Sequence, residues 1–205
     1  MVEDQAKIVS LGRILSLNEK LLLENQHIHK GIFSYIRWSK EEEDQHRTGL
    51  YIKTLELQPP AEVAFRLFKN WRILNFLNKF NISKLVTNDT QKLYAKSSAL
   101  GMISIPNLGK ENFVSAGMTL QRLWLTVTSL GLSMQPLAGI LYLGQRVSSE
   151  PRDQFSKEQI DLITNANKEI IKIFNLNYGV PAMLFRIGYA QEPSARSVKR
   201  DPIIK

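Results

Sequence analysis

The sequence predicts an α+β protein, and three observations predict it. Apolar residues recur at three-to-four-residue spacing through most of residues 1–90. Two later stretches, Lys92–Pro106 and Ala182–Gly188, change to a weakly alternating or continuous apolar pattern that suits strands. The chain has 205 residues, 43% of them hydrophobic, which is enough to bury a sizeable core.

The elements follow in chain order. Gln5–Lys30 is helical by spacing, with Ile8, Leu11, Leu15, Leu21 and Leu22 as its apolar positions and Gly12 as a local weakness. Ser39 followed by Glu42 is a capping-box signature, and Glu41, Glu42, Glu43 and Asp44 fill the first turn behind it. Acids there are favoured by the positive end of the helix dipole, so the run reads as a helix start and not as a metal site. Thr48–Gln58 is short and irregular, broken at Gly49. Pro59-Pro60 opens a helix whose stripe, Val63, Leu67, Phe68, Trp71, Leu74, Leu77 and Phe80, is expected to be core. Lys92–Pro106 reads as a helix end followed by a strand. Ala116–Leu130 carries one charge, Arg122, and eight apolar residues, so it is expected to be buried on most sides as the central core helix. Arg122 inside it should pair with an acid or a carbonyl. Gly131 suits the helix end, and Met134–Gly139 is a loop pinned by Pro136. Ser156 with Gln159 is a second capping box, starting a helix with Ile160, Ile163, Ile170, Ile171 and Phe174 on one face. Pro181 leads into the strand-like run, with Arg186 as a basic insertion, and the tail from Ala190 is polar.

Composition excludes several chemistries. With no cysteine there is no disulfide, zinc-thiolate site, iron–sulfur cluster or thiol nucleophile. No glycine-rich phosphate loop and no G-x-S-x-G elbow occurs. His27 and His29, two apart on a helix, face different ways, so a histidine metal site or a serine triad has no support, and no metal is expected. The formal charge of +8 is dispersed, with a local excess near the end in Arg186, Arg196, Lys199, Arg200 and Lys205 against Glu192 and Asp201. That pattern lacks the dense stripe of a nucleic-acid domain. The start lacks a signal-peptide pattern, and Phe113–Tyr142 is interrupted by Gln121, Arg122, Gln135 and Pro136, so a cytoplasmic location without membrane or nucleic-acid partners is expected.

Two segments together resemble the C-terminal half of the nitroreductase-like flavin family. One is Ser115–Gly139 (SAGMTLQRLWLTVTSLGLSMQPLAG), similar to the family's long helix at the dimer core, its Gly-Leu turn and the proline-containing loop over the flavin ring. The other is Pro181–Ala190 (PAMLFRIGYA) with Pro193 and Ser197–Arg200, similar to the last core strand and the basic tail that meets the FMN phosphate. Upstream, Tyr35-Ile-Arg-Trp-Ser39, Gly49-Leu50 and Thr54-Leu55 resemble the subgroup in which the flavin domain is fused behind an adenylyltransferase domain of the ubiquitin-activating-enzyme type.

The resemblance implies a single nitroreductase-like domain over residues 1–205, with a mainly helical part (1–90) and a core (91–205), built on a mostly antiparallel sheet. It implies an FMN-dependent oxidoreductase, or the flavin half of one, that takes hydride from NAD(P)H and works as a homodimer. An adenylyltransferase-type domain encoded upstream is the implied neighbour. Pro136, Leu137, Ala138 and Gly139 would lie at the flavin ring, and Arg196, Lys199 and Arg200 at its phosphate. Read from the residues alone, the same positions are an ordinary helix-to-strand turn and a solvated basic tail. The family's N-terminal arginine-rich segment and its Pro-Ser…Asn-Gln-Pro-Trp-like segment have no counterpart here. The chain is therefore expected to be N-terminally truncated or degenerate, binding FMN weakly. The alternative is a non-catalytic ligand-binding or interaction module that kept the fold and lost FMN.

Overall fold

The computed structural model describes residues 1–149 and 153–198. In chain order the elements are α1 (Gln5–Leu15), α2 (Leu17–Glu24), α3 (Gln26–Tyr35), β1 (Ile36–Arg37), α4 (Lys40–His46), β2 (Leu50–Tyr51) and a 3₁₀ turn at Ile52–Leu55. Then come α5 (Pro59–Phe68), α6 (Trp71–Asn78), α7 (Ile82–Ala95), β3 (Ala99–Ile105), α8 (Lys110–Ser129), β4 (Ser133–Pro136), α9 (Gly139–Ser148), α10 (Lys157–Ile173) and β5 (Val180–Gly188). The α+β class is as the sequence predicts. The chain divides into two units: residues 1–21 with 83–190, and residues 22–82 with 191–205.

The first unit is built on an antiparallel sheet in the order β3-β5-β4. β5 lies in the middle, which explains why Ala182–Gly188 is nearly continuously apolar: a central strand is covered on both faces. Gly101 pairs with Phe185, and the Phe185 ring occupies the space where a side chain at position 101 would begin. The β3–β5 register slips between Ile103 and Ser104, opposite Pro181, whose missing N–H cannot serve the ladder. The core gathers Ile8, Leu11, Ile14 and Leu15 of α1, Leu100 of β3, Ile140 and Leu141 of α9, Ala166 and Ile170 of α10, and Leu184 of β5. Helix ends match their signals. Asp4 caps α1 through Lys7 N–H, and Ser156 and Gln159 form a complete capping box on α10. Gly131 takes a φ of +70° where α8 stops, a conformation glycine adopts without steric cost.

The second unit is helical, with a two-strand parallel contact between β1 and β2. Its centre is aromatic. The His29 ring stacks on Phe33 at 4.2 Å, and Phe33 and Trp38 each lie against Phe65. Because the acceptor is a carbonyl, Phe68 O at 2.8 Å, His29 Nε2 must carry the proton. Ser39 Oγ caps Glu42 N–H as expected, but Glu42 reaches back to Trp38 N–H. The stripe expected to be core in one helix is corrected. The helix breaks at Lys69–Asn70, where Asn70 Oδ1 accepts from Arg72 N–H and starts α6. Phe68 and Leu74 are buried, whereas Val63, Leu67 and Phe80 are exposed. The turn at Asn70 changes the helix phase, so positions that would share one face no longer do.

Candidate functional site

The first unit holds a linked set of polar side chains around the β4–α9 junction. Arg186, on the central strand, donates from Nε to Gln135 Oε1 of β4 at 2.7 Å and from Nη1 to Leu93 O of α7 at 3.3 Å. Its guanidinium lies 5.6 Å from the Tyr94 ring centroid, a cation–π distance. The Tyr94 hydroxyl donates to Glu19 Oε1 at 3.4 Å, and Asn18 Nδ2 donates to the same oxygen at 3.3 Å. The Asn18 amide fills the space beside Gly139 that a Cβ would need. The segment Gln135–Gly139 is therefore held at both ends, by Arg186 at one and by Asn18 at the other.

The electrostatics follow from burial. Glu19 Oε2 is buried and accepts no hydrogen bond. Burial pushes the Glu19 carboxyl above the ordinary carboxylate range, against the lowering effect of hydrogen bonds from its own backbone, Asn18 and Tyr94. Burial first, and the neighbouring Glu19 charge second, push the Tyr94 phenol up. Burial lowers the Arg186 guanidinium, and Tyr94 works in the opposite direction.

The four junction residues have distinct situations. Pro136 pairs with Phe185 in the sheet. Leu137 is buried in the core, and its N–H donates to Leu184 O at 2.7 Å. This N–H is thus already engaged by the sheet. Ala138 is the N-cap of α9 with no side-chain cap, and Gly139 is the first residue of the helix. The opening N–H groups of a helix have no partner within it, so this end is suited to an acceptor atom or an anion. Arg196 is exposed and belongs to the second unit. Its segment is tied down on either side: Ser194 N–H and Oγ donate to Glu56 Oε1, at 2.7 and 3.1 Å, and Val198 N–H donates to buried Glu43 Oε1 at 2.7 Å. Lys199 and Arg200 lie outside the described residues.

The central helix requires a second correction. On α8 only Ala116 and Val127 are buried. Leu120, Leu123 and Val127 face the cluster formed by Met134, Phe185 and Ile187 of the sheet. Val114, Met118, Trp124, Leu125 and, just past the helix, Leu130 are exposed. Arg122 is exposed as well, so it has no buried charge to neutralise. The helix is apolar on two sides, and the sheet covers one. Among the described residues no cluster of three metal-ligating side chains occurs, and no helix is long and apolar enough to cross a membrane.

Sequence reading missed Asn18, Glu19 and Tyr94. Arg186 was visible as a charge inside an apolar strand, but its partners come from α7 and β4, and through Tyr94 the set reaches α2, none of which spacing connects.

Comparison with known proteins adds a distant relative. The chain is 21% identical over 188 residues to an uncharacterized protein of Mycobacterium tuberculosis, a match that covers 91% of this chain and 26% of that protein. The chain thus spans about a quarter of the length of that relative. No family model matches. No solved structure matches either.

Proposed function

We propose that this chain is a nitroreductase-like flavin module, which binds the FMN ring at the β4–α9 junction and passes electrons from NAD(P)H to an acceptor. The observation that carries the reading is the junction itself. A strand ending in Pro136 runs into an uncapped helix start at Ala138–Gly139, held from both ends by Arg186–Gln135 and by Asn18. Backbone N–H groups fixed in this way would be placed to hydrogen-bond the flavin ring. The bound FMN would supply the redox chemistry; this chain's residues would orient it. The exposed apolar side of α8 supports the accompanying homodimer. A larger assembly with an adenylyltransferase-type domain also belongs to this proposal; the greater length of the relative is compatible with it.

The expected affinity for FMN is weak. The Leu137 N–H is already engaged by the sheet. A Kd of tens to hundreds of micromolar, about −5 to −6 kcal/mol, is expected. Titrating protein into FMN and following flavin fluorescence tests it. Saturable quenching that Gly139→Val abolishes supports the site. No saturation up to about 1 mM protein, roughly −4 kcal/mol, favours the second reading, a non-catalytic module. That reading is supported by the same engaged Leu137 N–H.

A further inference from the structure

A second apolar surface, on α6 and the turn that follows it, lies in the unit that carries none of the junction residues. Ile73, Phe76 and Phe80 are exposed, the two phenylalanines at 57% and 67%. Ile73 and Phe76 share one side of α6, and the Phe80 ring, in the turn that follows the helix, meets the Phe76 ring edge-on at 5.5 Å. Arg72 and Lys79 lie together along one flank of that side, seven residues apart, and both are exposed. Leu74 and Trp71 take the opposite side inward. From Val63 to Ile82 the sequence holds Arg66, Lys69, Arg72 and Lys79 and no acid. Two of these cations have partners: Arg66 pairs with Glu62, and Lys69 lies over the Trp38 ring. Arg72 and Lys79 form no ion pair among the described residues.

We infer that the α6 face, Ile73, Phe76 and Phe80 edged by Arg72 and Lys79, docks on the surface of an anionic lipid bilayer. Two physical demands select this occupant. The partner must take up apolar side chains that stand clear of the protein, and it must carry negative charge beside them. A bilayer interface meets both, with acyl chains for the phenylalanines and lipid phosphates for the cations. The long stems of Arg72 and Lys79 lie along the apolar border while their heads reach the phosphates. A second copy of this face would bring like charges together. Single-stranded nucleic acid would stack on the rings and neutralise the cations but offer nothing to Ile73. Such docking is peripheral and needs no membrane-crossing helix.

Co-sedimentation with vesicles tests the inference, using the full chain and vesicles of phosphatidylcholine alone or with about 30% phosphatidylserine, in low and high salt. Binding is expected to the anionic vesicles only. Phe76→Ser/Phe80→Ser should abolish it, and Arg72→Glu/Lys79→Glu should weaken it by about 25-fold or more, since each surface cation is worth about fivefold. Tyr189→Ser, another exposed aromatic, should change nothing. Circular dichroism melts establish that each variant is folded, and Phe76→Tyr, which keeps an interfacial ring, should retain binding. Absence of binding to anionic vesicles overturns the inference. So does binding that survives both double variants, or affinity for a single-stranded oligonucleotide in place of vesicles. If Phe76→Ser/Phe80→Ser halves the particle mass while vesicles stay unbound, the face is a protein–protein contact and the inference is likewise overturned.

Discussion

Replacing Leu125 with arginine should dissociate a dimer while leaving each chain folded. Leu125 is 62% exposed on the side of α8 turned away from the sheet, and Met118, two turns earlier on that side, is 56% exposed. Complete burial of a leucine is worth about 1.5–3 kcal/mol, so covering the exposed fraction of Leu125 is worth about 1–2 kcal/mol per chain. A two-fold interface contains the residue twice. The substitution therefore removes about 2–4 kcal/mol, before any cost of enclosing a guanidinium, and raises the dimer Kd by about 30- to 1,000-fold. Light scattering across a dilution series reads this directly. Leu123, half-buried against the sheet, supplies the contrast, because Leu123→Arg should lower the urea midpoint of the chain itself. Wild-type protein with the mass of one chain at tens of micromolar, or a Leu125→Arg protein that dissociates no more readily than wild type, would refute the argument.

Other perturbations address the fold and the polar network. Gly101→Ala should cost about 1–3 kcal/mol in chemical denaturation, because the Phe185 ring already fills the site; Phe185→Leu in the same chain should recover part of the loss. Ser156→Ala should cost about 1 kcal/mol through loss of the α10 cap, and no change would mean the cap is redundant. Glu19 gives a pH signature. Its carboxyl value is raised in the folded chain, so the native state keeps this proton when the unfolded state has lost it. Stability thus falls as pH rises from the ordinary carboxylate range through the raised value, and below that range Glu19 contributes nothing. Glu19→Gln removes the loss. Its urea midpoint relative to wild type should be higher at pH 7 than at pH 4, and a difference independent of pH would show that Glu19 ionises in the fold as it does in water.

Local signals were legible because they are settled within a few residues. The α10 capping box follows from side chains that act on their own backbone, the Gly131 helix stop from the absence of one, and the two principal strands from their apolar runs. Gly101, in contrast, gave no sign of its role, since the ring it accommodates arrives from Phe185 across a sheet register that sequence does not print. The Glu19–Tyr94–Arg186 network was illegible for the same reason: Arg186 shows as a charge in an apolar strand, but Glu19 and Tyr94 look like ordinary residues until α2, α7 and β5 meet.

The apolar stripes expose a more general limit of periodicity. An apolar face states that something covers it, not that the same chain does. On α8 the Leu120–Leu123–Val127 side and the Met118–Leu125 side are equally apolar in sequence, and only the first meets the sheet. On α5 and α6 a single unbroken stripe was expected, yet the break at Asn70 turns Phe68 and Leu74 inward and leaves Val63, Leu67 and Phe80 outside. The two uncovered faces differ in what surrounds them, and this difference separates their proposed occupants. Around Leu125 stand Gln121, Thr126, Thr128 and Ser129, with Arg122 as the one charge between Ala116 and Leu130, so a second copy meets a mostly uncharged face there. Around Phe76 stand Arg72 and Lys79 with no acid nearby in sequence, a setting that repels a second copy and attracts an anionic surface. If both assignments hold, salt should weaken the contact at α6 and leave that at α8 intact, because screening acts on charge and not on buried apolar area. A common salt response would show that the two faces take the same kind of partner.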